Sequence, residues 1–389
     1  MPSYEDIINK KKREWDCPGL IDRDEAEVCK KIPFSSPLLN YCTYGGIPRG
    51  RITMFYGKAG GGKSSTSIDI CNNARRLFES EYQSQVLDLQ EKAGKGNKEA
   101  RLELEELEER GAKKVLYVDL EHSYDERWAS KMGVNRGDID VMQPPDISGE
   151  AILQTIQDLV STGQLGLVVL DSVPSLVTQQ EIEKKFGERT VASSAGLLTV
   201  FCRKLVPKLD RYDCSLILIN QLRANMDNPY VDQIPGGEAL KFYSSLVIRF
   251  TIGAPVDFLG TELPASAENP SGYKISAKIT KQKSAPWDRR NGSYYLMTQT
   301  GIRVDMDYAQ LAVSRYGIIR KSGAWFTICD PETGEVLEDE SGRPVKLNGM
   351  AKVYDYLQTN VEYYTKLKEY ILSDIEGNGI EDGAESVDI

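Results

Sequence analysis

Residues 56–67 read YGKAGGGKSSTS, three consecutive glycines before a lysine and a run of hydroxyl residues. Glycine is costly to order, so a flexible linker is the first reading to test. The flanks reject it. RITMFY (51–56) precedes the glycines with the alternating, largely apolar pattern of a buried strand. SIDICNNARRLF (67–78) follows, with Ile68, Cys71, Ala74 and Leu77 at helical spacing. Strand, glycine loop and helix are the context of a phosphate-binding loop, and Gly57, four residues, then Gly62-Lys63-Ser64 fits that pattern at every position.

The residue types carry the chemistry. From Gly57 through Lys58, Ala59, Gly60, Gly61 and Gly62, backbone N–H groups form a nest for phosphate oxygens at a helix N-terminus. Lys63 reaches the β- and γ-phosphates, the Ser64 hydroxyl ligates Mg²⁺, and the adjoining Ser65 is counted with the nucleotide-binding residues. The sequence reads as that of a nucleoside-triphosphate binder.

The 389 residues leave room for one large core and one or two small appendages. With 40% hydrophobic and 27% charged residues, the composition is that of a soluble globular protein. No apolar run approaches the roughly 20 residues of a membrane span, and residues 1–16 lack a signal-peptide core. Seven scattered cysteines without a C-x-x-C pair read as free thiols, and the expected location is the cytoplasm. The net charge of −10 disfavours a uniformly basic nucleic-acid binder, but residues 374–389 alone hold six acidic residues and no basic one. They read as an acidic disordered tail, either solubilising or competing with a polyanion for a basic surface.

Further along, residues 79–113 are rich in Glu and Lys and predict two helices divided near 94–97. This would be a solvated hairpin in which Leu104 and Leu107 are the candidates to face a partner. Apolar strands at 114–121, 138–145, 165–173 and 214–222 then alternate with helices at 125–133, 149–163 and 198–212. The fold class is α/β, a largely parallel sheet sandwiched by helices. Strands from 245 onward suggest antiparallel pairing that extends the sheet, and one helix over 351–372 closes a small C-terminal α/β appendage. The expected domains are an N-terminal arm (1–31), a core (32–300), the appendage (301–373) and the tail (374–389).

Ligands of open α/β sheets lie at the C-terminal ends of the strands, and three strands end in polar residues. Asp171 follows an apolar run as the second acidic motif of phosphate-loop ATPases does, holding Mg²⁺ through water. Glu121 is the candidate base for the water attacking the γ-phosphate, with Asp119 in support. Gln221 is placed to sense the γ-phosphate and move the loop that follows. His122, the sole histidine, reads as structural.

The segments YGKAGGGKSS, VDLEHSYD, VVLDSVPSLVTQQEIE, LILINQLR, PGGEALKFYSS, KITKQKSAPW and KSGAWF occur in that order. In them, from about residue 32 to 330, the chain resembles a RecA-type homologous recombinase, as a phage-encoded or divergent bacterial member. The resemblance implies a RecA-like core and a DNA-dependent ATPase using ATP and Mg²⁺. It also implies a helical homo-oligomeric filament on single-stranded DNA, pairing with a homologous duplex, strand exchange, and single-strand-binding or loading proteins as partners. It makes Glu121 the catalytic carboxylate and Gln221 the γ-phosphate sensor, and sets Asp125 and Trp128 against the adenine. Lys281 and Lys283 would reach the neighbouring subunit's ATP in the manner of an arginine finger; without the resemblance they read as an exposed strand face.

Residues 183–196 and 223–237 correspond to the family's two mobile DNA loops, with Arg203, Arg223, Gly236 and Gly237 at positions that approach the DNA backbone. Val191 and Met226 are the candidates to wedge between bases. The match has gaps. Gly196 stands where the family has an arginine, and the second loop is about two residues short. Two other readings therefore stand beside the recombinase: a RecA-fold scaffold or loading factor without strand exchange, and a ring-forming helicase or motor.

Overall fold

The computed structural model describes residues 29–185, 194–224, 232–233 and 237–377, together with Ser3, Asp6, Lys10, Lys11 and Glu14. It divides into two units, 1–30 and 31–389. In the first, the backbone N–H groups of Ser3 and Asp6 each donate to the other's side chain, at 2.9 and 3.1 Å. That reciprocal cap opens helical backbone at Asp6, Lys10, Lys11 and Glu14.

The second unit is built on a nine-stranded sheet. Its strands in chain order are β1 (Ile52–Gly57), β2 (Lys114–Asp119), β3 (Asp140–Met142), β4 (Leu165–Asp171) and β5 (Ser215–Gln221), then β6 (Leu246–Val256), β7 (Gly272–Gln282), β8 (Asn291–Met297) and β9 (Gly301–Ile302). The spatial order is β9-β8-β7-β6-β1-β5-β4-β2-β3. From β6 to β3 all neighbours are parallel, and β7, β8 and β9 add antiparallel. This is the mixed α/β architecture of a RecA-like core. β6 departs from the antiparallel expectation for residues beyond 245: it lies parallel to β1, and the antiparallel extension starts one strand later, at β7.

The continuous apolar character of these strands follows from burial on both faces. Phe55, Val115, Tyr117, Val169 and Ile217 face the phosphate-loop helix through Ile68, Cys71, Ala74 and Phe78. The alternate residues Met54, Leu116, Val118, Leu170 and Leu218 meet helices Gly149–Ser161 and Ser194–Arg211. A third apolar cluster joins residues 306–375 to Leu38, Val256, Tyr295 and Met297. Among the described residues no helix is long and apolar enough to cross a membrane. The six described cysteines are free thiols.

The strands read at 114–121 and 138–145 are shorter, Lys114–Asp119 and Asp140–Met142, which leaves Glu121 in the turn past its strand. Three larger differences from the sequence reading concern helices. The helix after the phosphate loop does not stop before the charged segment but runs unbroken from Lys63 to Gly94, since no glycine or proline interrupts 63–93. Its buried residues end at Phe78, so the last sixteen residues, about 24 Å of helix, extend beyond the core. Helix Lys98–Arg110 packs back along them, burying Ala100 and Leu107, while Leu104 is half-buried. Arg49 ties the root of this hairpin by pairing with both Glu81 and Asp213. Secondly, residues 351–372 are not one helix. Met350–Thr359 and Val361–Gly377 are separated at Asn360, whose backbone leaves the helical region at φ −104° and ψ 73°. Thirdly, Asp374 and Ile375 belong to that last helix and not to a tail. Asp374 accepts the Tyr316 hydroxyl at 2.8 Å and Ile375 is buried; the remainder of the acidic segment, from 378, lies outside the described residues.

One buried acid in the phosphate-loop helix gives a stability test. Asp69 accepts the Ser35 N–H at 2.9 Å, and burial pushes its pKa up to about 6. An acid whose folded pKa exceeds its unfolded value costs stability as it ionises, so the cost is absent below about pH 3 and complete above about pH 6.5. Asp69→Asn keeps the acceptor without the charge. It should stabilise the fold by roughly 1–3 kcal/mol at pH 7.5, with the gain shrinking to nothing by about pH 3. Urea unfolding across that range checks it, and an equal gain at both ends would contradict the assignment.

Candidate nucleotide site

The site forms where β1, β5, β4 and β2 end together. Gly57 pairs directly with Gln221, and Asp119 with Asp171; since Leu170 pairs with Leu218, the second pair lies about two residues short of the first, and register brings all four positions to the same end of the sheet. A side chain at Gly57 is impossible: its Cβ would lie 2.1 Å from the Phe250 carbonyl oxygen of β6. Gly62, just before the helix, adopts φ +82°, a left-handed turn that favours glycine. Lys58, Ala59 and Gly60 are exposed at the tip.

Lys63 is buried, and its ammonium donates to the carbonyls of Gly57 (3.2 Å) and Lys58 (2.8 Å). Burial lowers its pKa, against the pull of the Asp171 and Glu121 carboxylates. Asp171, also buried, is pushed upward by desolvation and held down by hydrogen bonds from Ser64 and Tyr117, the Tyr117 hydroxyl lying 2.6 Å away. One hydroxyl and one carboxylate in contact beside a phosphate loop suit Mg²⁺, which uses few protein ligands and takes the rest from phosphates and water. Ser64 and Asp171 are therefore the residues that fit the metal.

Glu121 is exposed, and one oxygen of its carboxylate, Oε1, accepts from two groups: the Gln221 amide at 2.7 Å and the Ser172 hydroxyl. The expected base and the expected sensor thus touch directly. Asp119 does something different from Glu121. Fully buried, it accepts the N–H groups of Glu121 (3.2 Å) and Tyr124 (2.9 Å) and the Gln143 amide (2.8 Å), which fixes the turn that presents Glu121. His122, in that turn at φ +51°, is exposed. Asp125 caps helix Glu126–Lys131, and the Trp128 indole N–H donates to Ser65 at 3.0 Å. That contact sets an aromatic ring beside the phosphate-loop helix, where a base could stack.

Lys281 and Lys283 are not part of this cluster. Lys281 pairs with Val247, next to the Leu246–Thr53 pair at the start of β1, whereas the phosphate loop leaves from Gly57 beside Phe250. Thr53 and Gly57 are roughly 13 Å apart along the strand. The ammonium groups of both lysines donate to carbonyls at the end of helix Gly237–Tyr243: Lys281 to those of Lys241 and Phe242, and Lys283 to that of Phe242. Desolvation, then the charge of Lys283, pushes Lys281 down to about 8. Of the DNA-loop candidates, Arg203 is exposed on helix Ser194–Arg211. Arg223 starts a two-residue strand paired with Asp232–Gln233, and Gly237 opens its helix. Gly236, Val191 and Met226 lie outside the described residues.

Sequence reasoning missed Ser172, Tyr117 and Gln143. Ser172 was one residue from the noted Asp171, and Tyr117 shares a strand face with Asp119; Gln143 carried no local signal. Asp119→Ala should strip three donors of their acceptor at once and destabilise the fold by about 2 kcal/mol or more. Denaturant unfolding measures it, and a change below a few tenths would remove Asp119 from this structural role.

A family model for the RecA N-terminal domain matches residues 90–303, which include Glu121, Asp171, Gln221 and both lysines. The chain is 30% identical over 360 residues to Protein RecA of Bdellovibrio bacteriovorus, covering 89% of this chain and 79% of the relative. It is 29% identical over 333 residues to that of Thermus aquaticus, covering 84% and 80%, and 30% identical over 299 residues to that of Clostridium perfringens, covering 76% and 71%. With more than half of the sequence matched by the family model, and with the strand ends and phosphate loop arranged as described, this chain belongs to the RecA family.

Proposed function

We propose that the protein is a DNA-dependent ATPase that assembles head to tail on single-stranded DNA and promotes homologous pairing and strand exchange. One observation carries the assembly: the lysine pair sits at the end of the sheet opposite its own phosphate loop. A pair so placed serves a nucleotide only across a subunit boundary, and each subunit then offers a phosphate loop at one end and lysines at the other. Such a head-to-tail arrangement propagates as an open filament when the rotation between subunits does not close a ring.

Within the site, Lys63 and the loop amides bind the phosphates of ATP, Ser64 and Asp171 hold Mg²⁺, and Trp128 and Asp125 take the adenine side. Bound Mg²⁺ would neutralise phosphate charge. Glu121 orients water and accepts its proton. Gln221, bonded to Glu121, is placed to exchange that contact for the γ-phosphate. Because β5 ends at Gln221, such an exchange pulls on the segment from Arg223 onward, where DNA contact is expected.

Glu121→Gln should retain ATP binding while turnover falls roughly 10²-fold or more; normal turnover would move the base elsewhere. Lys63→Ala should lose nucleotide affinity. Lys281→Ala with Lys283→Ala should lose DNA-stimulated hydrolysis, and co-assembly with Lys63→Ala subunits should recover part of it. Mixed junctions unite an intact loop with intact lysines. No recovery in subunits shown to co-assemble would contradict action in trans.

A further inference from the structure

We propose that Tyr294 is a positioning residue for the phosphate loop, acting through Thr66 on the carbonyl of Gly62. Neither residue lies in the phosphate-loop motif, and the inference rests on the nucleotide reading above. Tyr294 is on β8, three strands away from β1 in the sheet order, in the antiparallel extension. Its ring is fully buried against the loop: a Cβ at Gly62 would meet its hydroxyl oxygen at 3.1 Å and Ile275 of β7 at 3.4 Å.

Proton counting gives the contact a direction. The Thr66 hydroxyl lies 2.7 Å from the Gly62 carbonyl and 2.5 Å from the Tyr294 hydroxyl. A carbonyl only accepts, so the single Thr66 proton points at Gly62. Tyr294 must then donate to Thr66. The chain runs Tyr294 O–H to Thr66 Oγ1, and Thr66 O–H to Gly62 C=O, which also accepts the Thr66 N–H at 2.9 Å. Burial pushes the Tyr294 pKa upward, so the donor keeps its proton. Gly62 immediately precedes Lys63, and its left-handed turn sets where the lysine and the Ser64 hydroxyl emerge. Polarised by Tyr294, Thr66 grips that turn from behind. The extension that carries Lys281 thus also touches the loop at its own end of the sheet.

An ordinary core hydrogen bond would give the same distances, and three variants separate the two roles. Thr66→Val strands the buried Tyr294 hydroxyl without an acceptor and should lower stability, whereas Tyr294→Phe removes the unmatched donor. The double variant, apolar on both sides, should recover most of the stability. If Tyr294 positions the loop, affinity for a fluorescent ATP analogue falls about three- to tenfold in Tyr294→Phe and stays reduced in the double variant. Amide exchange of segment 57–66 without nucleotide should be faster in both. Affinity and exchange that return to wild type in the double variant would overturn the proposal. So would wild-type affinity in Tyr294→Phe when Lys63→Ala abolishes binding. Absence of binding by the wild-type protein would overturn the nucleotide reading itself, and this inference with it.

Discussion

Parallel register is the constraint on which this molecule depends. Hydrogen bonding fixes Gly57 opposite Gln221 and Asp119 opposite Asp171. Four strands therefore stop along one edge, and their last side chains converge without a loop having to find them. The apolar runs before those residues are buried on both faces, and a one-residue slip would turn every side chain over. The same packing that stabilises the sheet sets the positions of the functional groups. Polar residues at the edge then divide the work. Asp119 is consumed by three structural hydrogen bonds, leaving Glu121 exposed and available.

The sheet also separates two things that the proposed chemistry joins. Its C-terminal edge carries the loop, the carboxylates and Gln221; the opposite edge carries Lys281 and Lys283, resting on the last carbonyls of a short helix. Burial and mutual repulsion hold Lys281 near a pKa of 8. An anion arriving from a neighbour would offset the repulsion between the two lysines, which favours docking on a nucleotide-loaded partner over a solitary lysine pair. On the proposed reading, completing the site across a subunit boundary is a physical reason for assembly.

Much of this was legible in the sequence, for identifiable reasons. Glycines in the loop, apolar strands ending in polar residues and helical spacing after Ser67 are local signals, and each maps to its element. The failures arose where locality ends. Residues 79–94 look like a separate charged helix, but nothing in them breaks the helix that begins at Lys63. Asn360 offered no strong breaker signal, yet the chain turns there. Asp374 looks like tail by composition but continues the last helix, where Tyr316, distant in sequence, donates to it. In the site, Asp171 and Gln221 sat at strand ends and Glu121 two residues past one, in plain view. Ser172, Tyr117, Gln143 and the Tyr294–Thr66 contact depend on which strands become neighbours, which no window of sequence encodes.

The central claim is that the two edges of the sheet complete one site across a subunit boundary. A reconstruction by electron microscopy of the protein on single-stranded DNA, with a slowly hydrolysed ATP analogue, tests it most directly. The account predicts a helical filament in which Lys281 and Lys283 of one subunit lie within ion-pair reach of the γ-phosphate held by Lys63 of the next. A closed ring, or a filament in which the lysine pair faces solvent far from any nucleotide, would contradict it.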